Sequence, residues 1–187
     1  MNPLYESAGE IESFCRARRW RSTIIGGLAV QRWGEPRQTR DVDLAILTGF
    51  GGEGPVIDEL LAHFKARRPD AREFALRHRV LLVQAANGTP LDISLAALPF
   101  EERLIERSSP YRFGGEAVLV TCSAEDLVVL KAFADRPQDW LDIQGILVRQ
   151  GAMLDRARIL EELGPLLELK EDTGPEAALQ RLFGRHP

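Results

Sequence analysis

The stretch TIIGGLAVQRWGEPRQTRDVDLAIL, Thr23 to Leu47, decides how this chain is read. A β-branched run ends at two adjacent glycines, Gly26 and Gly27. An apolar run from Val42 then opens behind two aspartates, one residue apart. Alternate side chains of a strand share a face. In DVDLAIL, Val42, Leu44 and Ile46 therefore point one way, and Asp41 and Asp43 the other. PLDISLA, Pro90 to Ala96, has the same phase, with Asp92 and Ser94 opposite Leu91, Ile93 and Leu95. If the two strands are neighbours, three carboxylates converge on one polar face of a sheet.

Three bare carboxylates repel one another, and burial raises their pKa values. A divalent cation removes that cost. Mg²⁺ takes oxygen ligands, usually a few carboxylates together with substrate phosphates. Two such ions clamp the attacking and leaving oxygens of a phosphoryl displacement. Asp41, Asp43 and Asp92 are thus the candidate metal ligands and catalytic carboxylates. The plain alternative is a strand-edge or turn role, since Asp is common after loops. The glycines supply the second half of the pattern. A strand, then Gly-Gly, then a helix start allows a phosphate close to the backbone, where amides and the helix dipole favour an anion. Their alternative is a junction that needs unusual φ/ψ.

Composition sets the bounds. With 187 residues, 44% hydrophobic and 28% charged, the chain is globular and long enough for a sizeable core. A net charge of −4 does not mark a general nucleic-acid binder. Between positions 16 and 40, however, lie seven arginines (16, 18, 19, 21, 32, 37 and 40) and one acid, Glu35. They read either as a solvated face or as a local anion-binding surface. Cys15 and Cys122 match no metal or redox spacing and read as reduced thiols of a cytoplasmic protein. No signal peptide is expected, and no apolar run approaches the about 18 residues needed to span a bilayer.

Along the chain, helices are expected over Ile11–Trp20, Leu28–Trp33, Val56–Ala66 and Phe100–Arg107. Strands are expected over Ser22–Ile25, Val42–Leu47, Arg79–Ala86, Pro90–Leu95 and Ala117–Thr121. Asn87-Gly88 signals a hairpin. SAED at Ser123 resembles a capping box with Asp126 at its last position, opening a helix through Ala134. Pro137 restarts a helix, and the chain from Met153 onward reads as helical. The fold class is α/β (α+β), with a core over residues 1–122 and a helical C-terminal portion over 123–187. His63, His78 and His186 show no ligand spacing; His186 reads as tail.

Gly26-Gly27, thirteen intervening residues, Asp41-Val42-Asp43 and a third carboxylate at Asp92 resemble the nucleotidyltransferase superfamily related to DNA polymerase β. TRDVDL shows that family's habit of a Thr or Ser just before the aspartates. A second stretch, EDLVVLKAFADRPQDWLDIQGIL (Glu125 to Leu147), looks like the segment downstream of the core in AbiEii/AbiGii-type nucleotidyltransferases, which include toxin components of bacterial toxin–antitoxin and phage-defence systems. Its matching positions are Lys131, Arg136, Asp139 and Asp142.

The resemblance implies a nucleotidyltransferase-type mixed sheet flanked by helices. It also implies a Mg²⁺-dependent enzyme, with two ions, that moves a nucleoside monophosphate from an NTP to tRNA, another RNA or protein. It implies phosphate or nucleotide contacts at Gly26, Gly27, Thr39, Arg40 and Lys131, and possible pairing with an antitoxin. Lys131 has a plainer reading as a snorkelling surface lysine. Arg136, Asp139 and Asp142 have one in capping and helix pairing, which we take for Asp142 and leave open for Asp139. A small hydroxylated acceptor, as in antibiotic nucleotidyltransferases, is the alternative substrate. A non-catalytic nucleotide-binding module is the alternative of another class.

Overall fold

A computed structural model describes residues 2–115 and 117–185. Contacts divide the chain into two compact units. One contains the chain up to Leu28 and Gln38–Cys122; the other contains Ala29–Arg37 and the chain from Ser123 onward.

The first unit opens on α1 (Pro3–Ala17). Asn2 caps this helix, its Oδ1 accepting the Leu4 N–H at 3.0 Å, and Pro3 stands at the first helical position. The helix therefore starts well before the expected Ile11. Next come β1 (Ser22–Ile24), α2 (Gly26–Trp33), which belongs to the second unit from Ala29 on, and β2 (Val42–Leu47). Then follow α3 (Glu53–His63), β3 (Lys65–Ala66) and α4 (Ala71–His78). The unit closes with β4 (Val80–Gln84), β5 (Pro90–Ala96), α5 (Pro99–Glu106), β6 (Ser109–Phe113) and β7 (Ala117–Thr121).

Three expectations are corrected here. The helix expected over Val56–Ala66 begins three residues earlier, shortening the glycine-rich loop, and its end is the two-residue strand β3. Helix α4 went unread because only Ala71 and Ala75 of its eight residues are buried, too thin a stripe to show as a period. Strand β6 went unread because it carries Pro110. Proline lacks the N–H for a ladder, and β6 accommodates it at the sheet edge.

Among the described residues seven strands form one mixed sheet in the order β3-β4-β5-β2-β1-β7-β6. Strand β2 runs parallel to β5, and β1 parallel to β7; the other pairs are antiparallel. In β2 and β5 the expected alternation holds. Val42, Leu44, Ile46, Leu91, Ile93 and Leu95 join Leu81 and Val83 of β4 in the core. Ile11 and Phe14 of α1, Ile57 and Leu60 of α3, and Ala71 and Ala75 of α4 belong to the same cluster. The opposite face at this end of β2 and β5 is left to polar side chains. The β4–β5 turn is the one signalled by Asn87-Gly88: Gly88 has φ +85°, and the Ala85 N–H donates to the Thr89 carbonyl at 2.9 Å.

The second unit is helical beyond Cys122: α6 (Ala124–Ala134), α7 (Pro137–Gln150), a 3₁₀ turn at Gly151–Met153, α8 (Arg156–Lys170) and α9 (Gly174–Arg185). Ser123 caps α6, its Oγ accepting the Asp126 N–H at 3.1 Å and donating to Asp126 Oδ2 at 2.7 Å. Helix α6 buries Leu127, Val128, Val129 and Ala132 and packs against α7, α8 and α9. An element apolar on all sides belongs at the centre of its bundle. His186 lies outside the described residues. No helix among those described is long and apolar enough to cross a membrane.

Candidate active site

Parallel pairing of β2 with β5 sets Asp43 directly opposite Asp92. Asp41 lies just before β2, on the same face as Asp43. One oxygen from each of the three carboxylates lies within 4.8 Å of the other two, and all three residues are half-buried. The approach holds because the ladder fixes the strands: a one-residue slip would send Asp92 to the core side.

Each carboxylate has an anchor. The Thr39 hydroxyl donates to Asp41 Oδ1 at 2.8 Å. The Gly27 N–H points to Asp43 Oδ2 at 3.4 Å. The Arg67 guanidinium donates to Asp92 Oδ1 at 2.7 Å. Sequence reading did not find Arg67. It sits just past the two-residue β3, which falls at the end of the helix expected over Val56–Ala66.

The two glycines have a local explanation. A Cβ on Gly26 would lie 1.9 Å from Asp43 Oδ2, and the residue has φ +59°, a conformation L side chains rarely adopt. A Cβ on Gly27 would lie 2.4 Å from Thr39 Oγ1. The glycines thus admit Asp43 and Thr39 against the start of α2, and Thr39 in turn holds Asp41. Arg40 is exposed, beside Asp41 in sequence.

The second-unit residues singled out in the sequence form a different cluster. Lys131 is only 5% exposed, so it is a buried lysine and not a snorkelling one. Its Nζ lies 3.0 Å from Asp139 Oδ1 and 2.6 Å from Asp142 Oδ2. Arg136 donates to Asp139 Oδ2 at 2.6 Å, and Arg37 grips Asp142 at 2.8 and 2.9 Å, one N–H to each oxygen. Gln138 donates to Asp142 as well, at 3.1 Å. Burial alone would raise both carboxyls. For Asp139 the bonds from Arg136 and Lys131 outweigh burial, and for Asp142 those from Arg37 and Lys131 do, so both sit below the ordinary aspartate range.

The arginine-rich stretch disperses into separate contacts. Arg18 pairs with Glu59, and Arg21 bridges Glu102 and Glu106 at 2.8 and 3.0 Å. Arg32 lies over the Trp33 ring, and Arg37 belongs to the Asp142 cluster. Both cysteines are buried thiols, outside any disulfide among the described residues, and burial pushes the Cys15 thiol up to about 11. The His63 ring packs at a tilt against Phe14 and edge-on against Phe64, and His78 packs at a tilt against Phe74.

The architecture is a mixed-sheet fold of the nucleotidyltransferase type. The chain has the fold of an antigenic nucleotidyltransferase-like protein from Paracoccidioides brasiliensis, with a TM-score of 0.52 at 15% identity over 90% of this chain and 89% of that one. The lincomycin-bound lincosamide antibiotic adenylyltransferase LnuA aligns with a TM-score of 0.49 at 16% identity, over 75% of this chain and 94% of its own. The antibiotic-resistance factor ANT(2'')-Ia, a solution structure, aligns with a TM-score of 0.49 at 16% identity, over 97% of both chains. No family model and no curated protein matches the sequence.

Proposed function

We propose that this protein is a nucleotidyltransferase, moving a nucleoside monophosphate from an NTP to an acceptor hydroxyl. The reading is carried by one observation: Asp41, Asp43 and Asp92 offer three oxygens within 4.8 Å on one face of the sheet. An all-carboxylate donor set is hard and anionic, and fits Mg²⁺. The metal, two ions in our reading, would supply charge neutralisation on the transferring phosphate.

The chain's own residues do the rest. Asp92 takes the proton of the acceptor hydroxyl as its oxygen bonds to the α-phosphorus and the bond to pyrophosphate breaks. Thr39 fixes Asp41. The Gly26 amide and the Arg40 guanidinium would take the outgoing phosphates, while the Gly27 amide stays on Asp43. Catalysis of this kind is mostly positioning and electrostatics. We assign Lys131, with Asp139 and Asp142, to the stability of the helical unit and not to the nucleotide, because its ammonium is already shared between two carboxylates.

For the acceptor we favour a small hydroxylated molecule. RNA, and with it a toxin role and an antitoxin partner, draws support from the arginine-rich stretch. Arg18, Arg21 and Arg37 already have acidic partners, however. A polyanion would have to compete with those partners for the same cations.

The test uses each α-labelled NTP with Mg²⁺, offering total cellular RNA in one arm and a panel of hydroxylated small molecules in the other. Label should enter one of the two. The double change Asp41→Asn, Asp43→Asn should remove it by at least about 10³-fold, the scale of losing transition-state charge stabilisation. Undiminished transfer by that variant sinks the reading, and label in RNA reverses the acceptor assignment.

A further inference from the structure

We propose that Arg67 is the resident countercharge of the carboxylate triad, holding Asp92 in place and setting how tightly the site takes a divalent cation. The inference rests on the metal reading above and adds a residue to it. Arg67 is placed by the sheet, not by chance. Ala66 faces Val83, so Arg67 comes opposite Leu82, and its N–H donates to the Leu82 carbonyl at 3.0 Å. Leu82 faces Asp92, and Asp92 faces Asp43. Arg67, just past β3, thus lies in one row with Leu82, Asp92 and Asp43 of the next three strands, on the face away from the core. The guanidinium reaches over Leu82 to Asp92 at 2.7 Å.

This pair differs from the local ion pairs close by. Arg68–Asp70 and Arg72–Asp58 have side chains 39–55% exposed, whereas Arg67 and Asp92 are 27% and 31% exposed. Pairs as open as the first two contribute little and are screened by salt. A fixed cation in contact with one of three converging carboxylates acts on the whole group. It relieves their mutual repulsion in the empty site, and it opposes a second cation arriving there. Arg67 therefore keeps the three side chains together without metal and weakens metal binding when metal is offered.

The experiment titrates the full chain with Mn²⁺, reading free ion by electron paramagnetic resonance, for the unaltered protein, Arg67→Met, Arg67→Lys and Asp43→Asn. Thermal melts of all four establish that each is folded. The unaltered protein should bind Mn²⁺ and Asp43→Asn should not, which tests the metal reading by itself. Arg67→Met should bind on the order of fivefold tighter than the unaltered protein. Arg67→Lys, restoring the charge, should return to within about twofold of it. Equal or weaker binding by Arg67→Met overturns the countercharge role while leaving the metal site standing. Absence of binding in the unaltered protein overturns both.

Discussion

The carboxylates of the sheet and those of the helical unit are the same residue type in opposite situations. Asp139 and Asp142 are buried, and each is met by two cations: Lys131 with Arg136, and Lys131 with Arg37. Asp41, Asp43 and Asp92 are half-buried and meet each other, with a hydroxyl, a backbone amide and one guanidinium as their anchors. Charges closed in this way hold a structure together. Charges gathered against one another on one face favour a cation among them. A count of aspartates does not separate the two situations; the partner that each oxygen finds does.

Lys131→Met gives the sharpest contrast. It strips the shared cation from two buried carboxylates, which costs about 3–5 kcal/mol, and denaturant unfolding should register that loss. The same two groups set an acid limit. Their folded pKa values lie below the ordinary aspartate value, so they favour folding above about pH 4. That contribution is lost as the pH falls through the depressed values, and Asp142→Asn should flatten this part of the profile. A pH–stability curve unchanged by that substitution would break the contrast.

Glu12 is a third case, a buried carboxylate in α1 that accepts the Val120 N–H at 2.7 Å. Burial raises it to about 7 from 4.5, with that amide and Arg16 only partly opposing the rise. The folded protein therefore keeps a proton between those values that the unfolded chain has released, and stability falls as the pH rises through the window. Glu12→Gln should remove that slope and stabilise the protein by about 3 kcal/mol at pH 8 relative to its effect at pH 4. A slope that survives the substitution would assign it to another group. The smallest effect is expected at Thr39. Thr39→Val removes the hydroxyl that holds Asp41, worth about 1 kcal/mol, and should slow transfer several-fold with little change in melting temperature. An unchanged rate would free Asp41 from that anchor.

The carboxylate face was legible because period-two alternation needs only a few residues to declare itself. DVDLAIL and PLDISLA carry it in the same phase, and the ladder places Asp43 opposite Asp92. The glycine pair was legible as a special backbone site. Its local reason was not, because the atoms that forbid a Cβ belong to Thr39 and Asp43, twelve or more positions away. Arg67 was hidden more deeply. Its role depends on β3, two residues long, falling into register with β4, and a strand that short has no pattern of its own. Neither reading of Lys131, a nucleotide contact or a snorkelling surface lysine, foresees its burial between Asp139 and Asp142, because the packing of α6 against α7 that brings them together is a matter of tertiary structure.

The contact between Gly26 and Asp43 makes these two positions a single hereditary unit. A side chain at 26 is admissible only where the residue at 43 has shortened or turned away. Among chains of this architecture, a bulky residue at the first position would identify copies that have given up the second, before any assay is run. The backbone at one end of a helix thus keeps a record of whether a carboxylate still stands beside it.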